Sequence, residues 1–93
     1  MKTGFVAFHY PDAAHREEFV ARVQRVAEVF RQTPGCLAAD CWLTDDAVVS
    51  TVQWDSPEAQ EAALATVMTA AADDIVYDDR ETRPREIIRL VAA

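Results

Sequence analysis

The chain has 93 residues, 51% of them hydrophobic and 27% charged, which describes one folded domain over residues 1–93 with no room for a second core. Nine Lys and Arg against sixteen Asp and Glu give a net charge of -7, which repels a phosphate backbone and excludes nucleic acid as an expected partner. The apolar run in MKTGFVAFHY is too short for a signal h-region or a bilayer span, so no membrane partner is expected and the cytoplasm is the expected address.

In chain order, residues 3–10 (TGFVAFHY) are rich in β-branched and aromatic side chains and are closed by Pro11-Asp12, which predicts a first strand. Asp12 is a good helix N-cap, Glu17 and Glu18 suit the positive end of a helix dipole, and Phe19, Val23, Val26 and Phe30 recur at helical spacing. One amphipathic helix over residues 13–32 is expected, ended by Thr33-Pro34-Gly35. Residues 36–44 and 47–54 read as two strands joined at Asp45-Asp46 in a hairpin. Ser56 and Pro57 start a second helix over about 57–72, with Ala59, Ala63, Val67 and Ala71 as its apolar stripe. Residues 73–83 break the pattern with charge, although Ile75, Val76 and Tyr77 suit a docked turn or short helix. After Pro84, REIIRLV reads as the last strand.

The order β-α-β-β-α-β predicts an α+β, ferredoxin-like fold: a four-stranded antiparallel sheet with both helices on one face. Alternation sets Phe5, Ala7 and His9 against Val6, Phe8 and Tyr10 on strand one, and Leu37, Ala39, Cys41 and Leu43 against Cys36, Ala38, Asp40 and Trp42 on strand two. Both sides are substantially apolar, whereas a face left to water is normally polar. The uncovered face is therefore expected to meet a second copy, closing a dimeric barrel as a homodimer.

Cys36 and Cys41 lie on one predicted strand with their Cα atoms ~17 Å apart at ~3.3 Å per residue, too far for a disulfide. No CxxC pair or His at ligand spacing accompanies them, so neither a redox pair nor a metal site is expected, and both thiols should be reduced and buried. The acidic group Asp73, Asp74, Asp78 and Asp79 lacks the ligand spacing and glycine turn of a calcium loop and reads as solvated charge.

A Pro34-Gly35 before strand two and a Trp54-x-Ser56-x-Glu58-Ala59 run after strand three resemble the antibiotic biosynthesis monooxygenase family of dimeric α/β-barrel proteins. The resemblance spans nearly the whole chain, and its motifs encode a turn and a capped helix more than a chemistry. It implies a cofactor-independent monooxygenase that oxidises a planar aromatic of anthrone or quinol type with dioxygen. The alternative on the same scaffold is a non-redox cyclase or isomerase, or a small-molecule-binding protein. Many members carry a His in the second helix where this chain has Ala63, and the haem-degrading branch uses a Trp and a His that residues 57–76 lack, so haem degradation is disfavoured.

Oxygenation without metal or flavin needs a base, an anion stabiliser and apolar walls. His9, on the side of Phe5 and Ala7, is the first candidate base or orienter, against the plainer reading of a half-exposed strand-end histidine. His15 reads as a surface residue. Trp54, the motif tryptophan, could stack on an aromatic substrate or fill core space, and Phe5 could supply a second aromatic wall. Asp40 is a second candidate base, with Trp42 beside it, if that side of strand two lines the pocket; otherwise it is an exposed edge carboxylate. Arg89 could polarise a developing oxyanion, or pair with Asp40 or Glu86, or extend to water. Tyr77 could donate its hydroxyl to a substrate oxygen or simply pack.

Overall fold

In the computed structural model, which describes residues 1–72 and 80–93, the elements are β1 (Thr3–His9), a single 3₁₀ turn (Ala13–His15), α1 (Arg16–Arg31), β2 (Cys36–Leu43), β3 (Val48–Trp54), α2 (Pro57–Ala70) and β4 (Glu86–Val91). The four strands form one antiparallel sheet in the order β2-β3-β1-β4, and both helices lie on one face. This is the ferredoxin-like arrangement expected from the element order.

Local chemistry accounts for the boundaries. The first helix opens as a 3₁₀ turn because Asp12 accepts the His15 backbone N–H at 3.0 Å and so tightens the first three residues. Gly35 takes φ +80° at the reversal into β2, and a Cβ there would stand 2.6 Å from the Asp55 carboxylate. Ser56 caps α2 by accepting the Ala59 N–H at 3.2 Å, with Pro57 at the first helical position.

The predicted stripe of α1, Phe19, Val23, Val26 and Phe30, is buried; of the stripe predicted for α2, Ala63, Val67 and the cap residue Ala71 are buried and Ala59 is half-buried. Val52 and Trp54 meet them from β3, and Trp54 has no exposed surface. Trp54, Phe5 and Phe30 form three edge-to-face pairs with centroids 5.3–5.9 Å apart, geometry that adds to the stabilisation from area burial. The indole N–H of Trp54 donates to the Thr33 hydroxyl at 3.4 Å, tying the strand end to the turn after α1.

Away from the helices, Val6, Phe8, Trp42, Val49, Ile88 and Leu90 share the other face by register. Trp42 is 57% exposed and Ile88 48%, an apolar area that the single chain leaves bare. Among the described residues, no helix is long and apolar enough to cross a membrane.

Candidate functional site

The helices pack mainly on β2 and β3, so the helix side of β4 is left uncovered and a cleft of about 250 Å³ opens between the helices, β1 and β4. Phe5, Ala7, His9 and Ser50 form its sheet wall. Val23, Val26 and Phe30 of α1 and Leu64, Val67 and Met68 of α2 supply an apolar opposite wall. Arg85, Ile87 and Arg89 complete the β4 side. No carboxylate of the described residues lines it.

His9 ends β1 with its ring in this cleft and only 5% of its surface exposed. Burial, reinforced by the charge of Arg85, lowers its pKa to about 4, so it is a neutral imidazole near pH 7. Its Nδ1 lies 3.8 Å from Glu81 Oε1, and the same oxygen accepts the Tyr10 backbone N–H at 3.2 Å. Glu81 is held there because the segment from Arg80 to Thr82 runs along the chain leaving β1: Asp12 donates its N–H to the Arg80 carbonyl at 2.8 Å and Thr82 to the Tyr10 carbonyl at 2.7 Å. The plainer reading of His9 as a half-exposed strand-end residue is therefore corrected, because that segment and the helices enclose it.

The residues singled out in the sequence divide between cleft, core and opposite face. His9, Phe5 and Arg89 come together at the cleft. Trp54 does not reach it: the ring lies behind Phe5, fully enclosed, and has no surface on which a ligand could stack. Asp40 and Trp42 pair with Thr51 and Val49, on the register positions opposite those of the cleft residues, so neither lines the cleft. The Trp42 indole donates to the Thr51 hydroxyl at 2.7 Å, and Asp40 approaches Arg31 at 4.0 Å on the sheet edge. A pairing of Arg89 with Asp40 is overturned by the strand order, which sets β4 and β2 at opposite edges. Glu86 is no partner either, since it faces the other side and accepts the Tyr10 hydroxyl at 2.9 Å. Tyr77 and the acidic group at 73, 74, 78 and 79 lie outside the described residues.

His15 is a partly exposed residue 2.7 Å from Asp12, whose carboxyl it holds below the usual range. Cys36 and Cys41 are free but half-buried rather than buried, because β2 is an edge strand, and desolvation raises both thiol pKa values. Two polar cleft residues escaped the sequence reading. Ser50 is a lone hydroxyl at an inward position between Val48 and Val52, a break in apolar alternation that could have drawn notice. Arg85 precedes the strand by one residue, yet shares the alternation of Ile87 and Arg89.

The sequence profile of the family described as antibiotic biosynthesis monooxygenase matches residues 4–73. No curated protein sequence matches the chain significantly. Among solved structures, SnoaB, a cofactor-independent oxygenase from Streptomyces nogalater, is 22% identical with a TM-score of 0.76, covering 99% of this chain and 93% of its own. Rv0793 from Mycobacterium tuberculosis is 16% identical with a TM-score of 0.74, over 100% of this chain and 96% of its own. A conserved protein from Methanosarcina mazei is 12% identical with a TM-score of 0.78, over 97% and 91%. At such identities the structural likeness speaks for the fold, while the profile covers most of the sequence and includes Pro34-Gly35, Trp54 and Ser56. The chain belongs to the antibiotic biosynthesis monooxygenase family.

Proposed function

We propose that the protein is a cofactor-independent monooxygenase acting on a planar aromatic substrate of anthrone or quinol type, bound in the cleft of a homodimer. The observation that carries this reading is a neutral, enclosed His9 between apolar walls from β1 and both helices, with the charge of Arg85 acting on it. Family membership supports the reaction class, and SnoaB, described as a cofactor-independent oxygenase, is a structural relative.

The chemistry requires a substrate anion that can pass an electron to dioxygen. His9 takes the proton, and the resulting oxyanion lies against its imidazolium and Arg85. Proton transfer from a phenol of pKa ~10 to a base titrating near 4 is uphill by ~8 kcal/mol at 1.36 kcal/mol per unit. Each close opposite charge returns on the order of 5 kcal/mol at an effective dielectric of ~20, so the transfer is feasible only with the anion pinned between both cations. For an anthrone-type methylene, one dioxygen then converts CH₂ to C=O and releases one water, whose protons come from the substrate. Phe5 and the buried Val26, Phe30 and Val67 supply the apolar wall against which the anion is held. Trp54 supports Phe5 from behind and touches no substrate. The homodimer would close over Phe8, Trp42 and Ile88, consistent with their shared apolar face.

The test is dissolved-oxygen uptake by metal-stripped protein supplied with a reduced anthrone and a small quinol panel, against a blank without protein. Catalysed uptake that survives chelation is expected, and His9→Gln should lower it by roughly 10²–10⁴-fold while the variant stays folded. No uptake above the blank would overturn the oxygenase reading; product formation under argon would then identify a cyclase or isomerase.

A further inference from the structure

The cleft runs along β1, and its β4 wall carries a guanidinium at each end. Arg89 stands opposite Phe5 and Ile87 opposite Ala7, and Arg85, one residue before β4, lines the same cleft with its charge acting on His9. Four residues of strand separate the two arginine Cα atoms by ~13 Å. Asp and Glu make up sixteen of the residues, yet none of those described is in the lining of this cleft, and the Glu81 carboxylate stands next to it only at the His9 end, 3.8 Å from the ring. Arg89 takes part in none of the ion pairs recorded among the described residues. Arg89 is exposed on its edge strand yet lines the cleft at the end away from His9, where an incoming anionic group can reach it.

We propose that Arg89 is a specificity-determining residue that binds a carboxylate on the substrate, held at one end of an apolar ring system whose other end reaches His9 and Arg85. The planar guanidinium matches a carboxylate through two parallel N–H···O bonds, which a neutral carbonyl or a hydroxyl cannot reproduce. The substrate class becomes an elongated aromatic acid, oriented along β1 by its charge, and the ~13 Å between the arginines sets how far the acid lies from the reacting carbon. Only the identity of the reacting end rests on the oxygenase reading; the charge selection does not.

Calorimetric titration at low salt with 2-naphthoate and its neutral counterpart 2-naphthamide reads the charge preference without turnover. The acid should bind at least roughly tenfold more tightly than the amide, as a charge-assisted pair requires. Arg89→Gln should bring the acid to the level of the amide and leave the amide unchanged, while Arg89→Lys should keep part of the preference. Equal affinities in the wild-type protein, a preference that survives Arg89→Gln, or no saturable binding of naphthoate would each overturn the proposal. Failure of oxygen uptake with the acid preference intact would count against the oxygenase reading alone; uptake without an acid preference would count against this proposal alone.

Discussion

The two faces of the sheet are built from the same strands and similar apolar side chains, yet the chain treats them differently. One face receives both helices, buries Val48, Val52 and Trp54 completely or nearly so, and keeps a cleft only where β4 runs past the helices' cover. The other places Trp42, Ile88 and Leu90 in the open. Apolar alternation alone does not distinguish them, because it records that a face leaves water and not what covers it. The difference lies in the connections: each helix must return over the side on which its crossover packs, and one side is left for something else.

The strongest way to break the comparison is a charge on the open face. Phe8→Asp should convert the proposed homodimer into a monomer or an insoluble chain, since an unpaired carboxylate is costly to bury. Analytical ultracentrifugation decides it, and a soluble dimer of native stability would assign that face to water. Next in size, the two tryptophans should respond oppositely. Trp54→Ala should cost about 3–5 kcal/mol in chemical denaturation through the cavity it leaves among Phe5 and Phe30. Trp42→Ala should stay within about 0.5 kcal/mol in the monomer and instead weaken dimer association. Equal losses in both would mean that the faces are not distinct.

A third test sharpens the picture of the cleft. The folded His9 titrates near 4 and an unfolded histidine near 6.5, so between these values the unfolded chain binds the proton that the folded one refuses. The sign follows directly: stability is complete above pH 6.5, falls as the pH drops through the window, and is lower by about 3 kcal/mol near pH 4. His9→Gln should remove that part of the slope, which urea denaturation at stepped pH measures. The smallest effect is expected at the start of α2, where Ser56→Ala should cost about 1 kcal/mol by leaving the Ala59 N–H without its cap. An unchanged midpoint would mean that water replaces the hydroxyl at no loss.

Legibility in the sequence followed the range of the interaction. Phe19, Val23, Val26 and Phe30 announce α1 because helical periodicity is a local property, and the caps at Asp12 and Ser56 are set by bonds spanning three residues. The helix-facing placement of His9 followed from strand alternation with Phe5 and Ala7. Asp40 and Trp42 were harder, because alternation pairs them with each other but says nothing about which face meets the helices. Trp54 shows the same gap: it belongs to the helix face, but the ring of Phe5 stands between it and the cleft, a fact of three-dimensional packing across β1 and β3.

The amino-acid sequence by itself determined the elements, their order and the apolar character of both sheet faces, since propensity, capping and periodicity act over a few residues. Only the tertiary structure decided that β2 and β4 occupy opposite edges, that Arg89 and Asp40 never meet, and that His9, Ser50, Arg85 and Arg89 line one cleft. Those relations join residues as many as eighty positions apart, and they arise only when the strands pair and the helices cover β2 and β3 while leaving a cleft over β1 and β4.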